Sequence, residues 1–262
     1  YALNRIVARP SVVGVTETDL PAARGATWDR GAALRVRLFG GALSSAAVDA
    51  VLAGANAMAI GDGASGDWEV FQFAEAVLVE PDLWALSMRL RGQAGTEGVM
   101  PPVWPAGSRV VLLDGSLTQL SLPASLLGID RRYRVGPSRR PPDDPSYREV
   151  TRSFEGVGLR PYAPVHLKAR PAPEGAWDIG WIRRTRVDGD RWGLVDVPLG
   201  EAAERYIVRV VHEGAVRRTA EVGVPFWSYG AAELTEGRGT GRQRYSWRPV
   251  GFCRFNARPA SA

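Results

Sequence analysis

Two histidines, one cysteine, a glycine-rich loop and a few clustered acids are where this sequence offers reactive groups. His166 and His212 each lie within or at the edge of a strand-like run, and neither has a motif partner. A nucleophile–histidine–acid arrangement is spatial rather than sequential, but nothing here marks one, and both read as structural residues. Gly61-Asp62-Gly63-Ala64-Ser65-Gly66 has glycines at dinucleotide spacing. It lacks the Lys-Ser/Thr of a phosphate loop, and a Trp-rich strand follows it where a helix N-terminus would be needed to hold a phosphate. It reads as a hairpin loop. Asp188-Gly189-Asp190 and Asp143-Asp144 offer carboxylates without the remainder of a calcium loop. Glu69 and Glu75 have no sequence relation that would set two carboxylates across a cleft. Cys253, the only cysteine, stands beside Arg254, and its solitude rules out an intrachain disulfide or a thiolate cluster. The expectation is no catalytic residue, no metal site and no cofactor: the chain is not an enzyme.

Aromatic side chains offer a different chemistry, stacking on sugars, bases or protein surfaces. Trp68, Trp84, Trp104 and Trp181 fit strand patterns and belong in cores. Trp227, Tyr229, Tyr245 and Trp247 fall outside those patterns and are the candidates for a surface contact.

The elements that must position these groups are mostly strands. The 262 residues carry 45% apolar and 23% charged side chains, with 30 Gly, 19 Pro and nine Trp, which suits short strands and tight turns better than a helical bundle. That length accommodates two domains. The net charge of +5 is almost wholly arginine, since Lys168 is the sole lysine. An anionic partner, nucleic acid or a lipopolysaccharide surface, is one reading of this. Arginines scattered over solvated strand faces are the other, and the absence of a block of five like charges favours it, with no specific nucleic-acid partner. No apolar run reaches the roughly 18 residues of a membrane helix.

Residues 1–30 read as a linker or the edge of an upstream domain, with a short Val12–Val15 run. A β-rich domain, a barrel or meander, follows over 31–135. Leu34–Leu38 alternates strictly as a half-buried strand. Ser44 or Ser45 caps one short helix, with Val48, Val51 and Leu52 as its buried stripe and Gly54 closing it. The runs Trp68–Phe73, Ala76–Val79, Leu83–Leu90 and Arg109–Leu113 form a β-meander around which the domain is organised, and Leu117–Leu122 adds a further run. Residues 136–153, with Pro137, Pro141, Pro142 and Pro145, read as a Pro-rich linker arm. Strand patterns restart over 154–230 at Pro164–Ala169, Trp177–Ile182, Tyr206–Val211 and Val216–Val224, suggesting a fibronectin-III-like sandwich. Residues 231–262 form an irregular basic tail.

Several separated motifs carry a family resemblance. Trp68-Glu69-Val70-Phe71-Gln72-Phe73-Ala74-Glu75-Ala76 and Leu86-Ser87-Met88-Arg89-Leu90-Arg91-Gly92-Gln93-Ala94-Gly95-Thr96 resemble a signature of phage tail proteins. Tyr133-Arg134-Val135-Gly136-Pro137, Asp143-Asp144-Pro145-Ser146-Tyr147, Trp181–Asp190 and Val197-Pro198-Leu199-Gly200-Glu201 narrow it. Over about residues 28–230 the chain is similar to the C-terminal portion of the gene transfer agent host-specificity (baseplate megatron) family. The resemblance implies a structural part of the tail-tip baseplate, organised around a homotrimeric hub and assembled in the bacterial cytoplasm. Its partners would be hub, distal tail and fibre proteins, and its roles host-cell contact and DNA delivery. It also implies a TIM-barrel-like region upstream, so that the chain, which begins at Tyr1, reads as the tail of a longer polypeptide. The family's final apolar strand pair is missing from the basic stretch Arg238–Ala262. The alternative reading is a carbohydrate-binding module of a larger recognition protein, with a cell-surface glycan as partner.

Overall fold

The computed structural model describes residues 3, 5–7, 9–25, 27–159, 161–189, 193, 196–212 and 215–230. The chain divides into two units, Tyr1–Gly158 and Leu159–Ala262. In the first, the strands are β1 (Val13–Thr16), β2 (Leu20–Pro21), β3 (Trp28–Asp29), β4 (Leu34–Leu38), β5 (Ala57–Gly61), β6 (Glu69–Glu80), β7 (Leu83–Gln93), β8 (Val103–Trp104), β9 (Arg109–Leu112), β10 (Arg131–Val135) and β11 (Arg148–Arg152). One helix, α1 (Val48–Leu52), lies between β4 and β5.

Six of these strands close on themselves. The order runs β7-β4-β1-β9-β5-β6 and returns from β6 to β7, every pairing antiparallel. A closed barrel leaves no free edge around its waist. The period-two alternation of β4 shows why the sequence folds this way. Leu34, Val36 and Leu38 point inward and are at most 3% exposed. Arg35 and Arg37 point outward to Glu17 and Glu80. Inside, these three pack with Met58, Ile60, Phe71, Phe73, Leu86 and Val110.

The meander contains fewer, longer strands than the residue runs suggest. The runs Trp68–Phe73 and Ala76–Val79 fall, but for Trp68, in one twelve-residue strand, β6, paired along its length with the eleven-residue β7. No Gly or Pro interrupts Phe73 to Ala76, so nothing stops the ladder until Pro81-Asp82 turns it. The lower half of β6 is buried on both faces. Phe71 and Phe73 fill the barrel, while Ala74 packs outside it with Val51 of α1 and Leu90. Gln72 fastens the helix, its Nε2 donating to Val51 O at 2.6 Å and Ala55 O at 2.8 Å. Val51 O belongs to the last turn, where carbonyls lack intrahelical donors, and it also accepts from Gly54 N; Ala55 lies just beyond the helix.

The expected cap and stripe of that helix are corrected. Ala47 holds the N-cap position with no side-chain hydrogen bond. Ser45 instead exchanges bonds with the backbone of β6, accepting from Ala76 N at 3.0 Å and donating to Ala76 O at 3.3 Å. A sheet ladder next to the helix outcompetes the cap for that hydroxyl. Only Val51 is buried; Val48 and Leu52 are 43% and 63% exposed. At five residues the helix is too short to need a stripe.

Three further expectations change. Val13–Thr16, read within a linker, is a wall of the barrel between β4 and β9. Leu117–Leu122 forms no strand. The Pro-rich arm is the ordered loop of a hairpin, since β10 and β11 pair in register from Arg131↔Arg152 to Val135↔Arg148. The Tyr147 hydroxyl donates to Pro137 O at 2.9 Å, Arg134 Nη1 donates to Pro142 O at 2.7 Å, and the Tyr147 ring lies against Gly136 so closely that a Cβ there would sit 2.4 Å away.

The second unit holds β12 (Val165–Pro171), β13 (Trp177–Ile182), β14 (Tyr206–His212), β15 (Ala215–Val222) and β16 (Phe226–Tyr229). They form a three-stranded sheet, β12-β13-β16, and a two-stranded one, β14-β15. Trp181 of the first meets Tyr206 of the second edge-on, ring centroids 5.1 Å apart. The protein is therefore mainly β in both units.

Candidate functional site

Among the described residues, the reactive groups picked out in the sequence are not brought together. His166 is exposed, at φ 53°, on a bulge of β12. His212 ends β14, and its side chain lies outside the described residues, as do Cys253, Tyr245 and Trp247. The glycine-rich loop joins β5 to β6 as a hairpin loop, and its Asp62 Oδ1 accepts from Ala64 N, Ser65 N and Ser65 Oγ. Those local donors lower the Asp62 pKa. No group of three potential metal ligands assembles among the described residues.

Trp227 and Tyr229 sit two apart on β16 with rings 5.1 Å apart and tilted by 35°. Trp227 is half-buried, whereas Tyr229 is 5% exposed. Strand alternation sets both on one face of the three-stranded sheet. A small depression elsewhere in this unit is lined by Tyr162, Arg183, Arg184, Glu201, Glu204 and Tyr206. Its charged side chains are engaged in bonds of their own. Arg184 lies 5.1 Å over the Tyr162 ring and donates to Ala163 O, and Arg183 donates to Asp196 and Val197 O. Glu201 accepts both arms of Arg186. The Tyr206 hydroxyl donates to Glu204 at 2.6 Å, and burial, then that carboxylate, push its pKa well up, so it stays protonated.

Among the described residues, the most concentrated buried polar constellation is inside the first unit, and the sequence reading did not find it. Glu69 on β6 and Arg91 on β7 are both 0% exposed. Arg91 Nε donates to Glu69 Oε1 at 2.7 Å and Nη2 to Oε2 at 2.8 Å, a two-pronged pair. Gly92 N at 3.1 Å and Trp104 Nε1 at 2.7 Å complete four donors on Glu69. Arg91 Nη1 donates to Pro21 O at 2.7 Å. Trp104 and Leu20 come from the β2–β8 pair, whose side chains join the barrel core. Beside them Arg89, 1% exposed, donates to Asp29 Oδ2 from Nε and Nη2 and to Leu86 O from Nη1. Two cations and two carboxylates leave this cluster neutral.

Its chemistry is structural. A carboxylate has about four lone-pair sites, and Glu69 has all of them occupied, so it holds none for a substrate proton. Glu75, the other carboxylate considered in the sequence, is exposed and accepts from Ser87 Oγ at 2.5 Å. The two serve different purposes on one strand.

Asp29 gives the cluster a pH dependence. Burial alone pushes its carboxyl up, but the Gly31 N–H and the Arg89 and Arg91 guanidiniums outweigh it and hold the pKa below the ordinary 3.8. A carboxylate with a depressed folded-state pKa stabilises the fold above its unfolded value and loses that contribution as pH falls through the folded one. Denaturation followed from neutral pH to below pH 3.8 should show Asp29→Asn with a shallower acid loss than the parent. Parallel acid limbs would show that Asp29 carries no linkage.

The barrel is also the segment that matches a family model. Residues 11–111 match the family described as Rcc01698-like, C-terminal. No curated protein matches the chain. The matched segment begins two residues before β1 and ends within β9, and Val13 pairs with Val111. The matched segment therefore spans the closed ring with its buried ion cluster. The β10–β11 hairpin and the second unit lie outside it.

Proposed function

We propose that this chain is a structural component of the baseplate at the tail tip of a phage-like particle, a gene transfer agent. It would contribute to hub assembly as a homotrimer, contact the recipient cell and assist DNA delivery. The observation that carries this reading is the coincidence of the Rcc01698-like, C-terminal match with one complete barrel, in agreement with the motif resemblance in β6 and β7. A ring closed by strand pairing, with an apolar core and a buried, neutral ion cluster, suits a rigid scaffold. We further propose that the second unit is a fibronectin-III-like module, supported by its two antiparallel sheets meeting through Trp181 and Tyr206.

Electron-microscopy reconstruction of the particle tests the placement. The expected result is density for the barrel at the tail tip in threefold register. Density elsewhere, or particles without the chain, would overturn it. A glycan-array screen tests the carbohydrate-binding alternative, for which half-buried Trp227, packed on Tyr229, is the stacking candidate on β16; specific sugar binding lost in Trp227→Ala would favour that alternative.

A further inference from the structure

The β10–β11 hairpin is built against its own electrostatics. Its register sets Arg131 directly opposite Arg152. Side chains so paired have Cβ atoms about 5 Å apart, and like charges there are destabilising. Neither makes an ion pair among the described residues, nor does Arg148, whereas Arg134 and Glu149 on the opposite face bond to each other. The face of Arg131 thus carries three exposed, unpaired guanidiniums and no acid.

The same face is apolar between those charges. Tyr133 pairs across to Val150, and Val135 to Arg148. Val135 is 65% exposed, Val150 37% and Phe154, whose ring meets Tyr133 edge-on at 6.0 Å, 42%. A two-stranded hairpin is marginal in water by itself, and this one keeps both its cations and its hydrophobes in solvent. We propose that this face docks on an anionic lipid surface, its arginines on headgroup phosphates and its valines and Phe154 at the headgroup–acyl boundary. Charge complementarity requires an anion, and the exposed apolar side chains between the arginines select a lipid over a nucleic-acid backbone, which offers hydrocarbon no such contact. The inference stands independently of the baseplate reading: membrane docking and tail-tip location are measured separately.

Flotation of the full chain with vesicles tests it, using phosphatidylcholine with phosphatidylglycerol against phosphatidylcholine alone and, in parallel, retention on duplex DNA. The expected result is binding to the anionic vesicles that weakens with salt. Arg131→Gln with Arg152→Gln should lower it by about 25-fold, at about fivefold per arginine. Arg152→Glu should abolish binding while removing the repulsion with Arg131, so that the thermal midpoint does not fall, which separates lost docking from lost folding. Val135→Ser should weaken binding and leave its salt dependence unchanged. Equal flotation with both vesicle types would overturn the proposal. So would tight retention on DNA that Val135→Ser leaves intact, since the surface would then be a nucleic-acid site.

Discussion

Glu69→Gln should cost the first unit roughly 3–5 kcal/mol, the range for breaking a buried ion pair by removing one partner. The loss comes from what remains. Arg91, 0% exposed, keeps its full charge with only Pro21 O and the more distant Asp29 as acceptors. The new amide group also points two hydrogens among donors that need an acceptor, leaving Gly92 N or Trp104 Nε1 unbonded. Arg91→Met should cost a similar amount by stranding the carboxylate. The double variant should lose much less than the sum, because the two residues act as one unit. Urea denaturation of the full chain, with hydrogen exchange resolving the β6 and β7 amides, reads this out. A loss under about 1 kcal/mol for Glu69→Gln, the value of an exposed pair, would mean that the pair is hydrated in solution.

The second large effect is expected at a glycine whose backbone is unremarkable. Gly14 pairs with Leu38 across β1 and β4, and a Cβ on it would lie 2.2 Å from Arg37 O and 3.0 Å from Leu38 Cα. Both obstacles are main chain in the barrel wall, so no rotamer change relieves them. Gly14→Ala should cost about 3 kcal/mol, the upper part of the usual range for overpacking. Gly66→Ala offers the comparison. Nothing lies within 4 Å of its added Cβ, so its penalty comes from φ +83° alone. If thermal melts show Gly14→Ala no worse than Gly66→Ala, the β1–β4 approach is looser than described.

How much of this could be read in advance depends on how local the cause is. β4 declares itself because alternation is a property of five adjacent residues. The β5–β6 loop does so because Asp62 finds its donors within three positions. α1 misled because Ser45 satisfies itself on Ala76, 31 positions away. The ion cluster was invisible for the same reason: Glu69 reaches Arg91 over 22 positions and Trp104 over 35. In the string Arg89-Leu90-Arg91 the arginines look like outward charges, as Arg35 and Arg37 are. Only the backbone of Gly92, at φ +59° and crowded by Glu97, hints that the strand end is folded in on something. The proline arm read as a linker because its prolines deny a ladder, yet its flanks, not its middle, make the hairpin.

Because Val13 faces Val111 across one antiparallel pair, the polypeptide arrives at the ring and departs from it side by side. Such a cassette can be set into a longer chain without displacing what comes before from what comes after, since its two doors share a post. The same circumstance makes it a candidate for rewiring: joining those neighbours and opening the exposed Pro81-Asp82 turn would give the same ring with a new start.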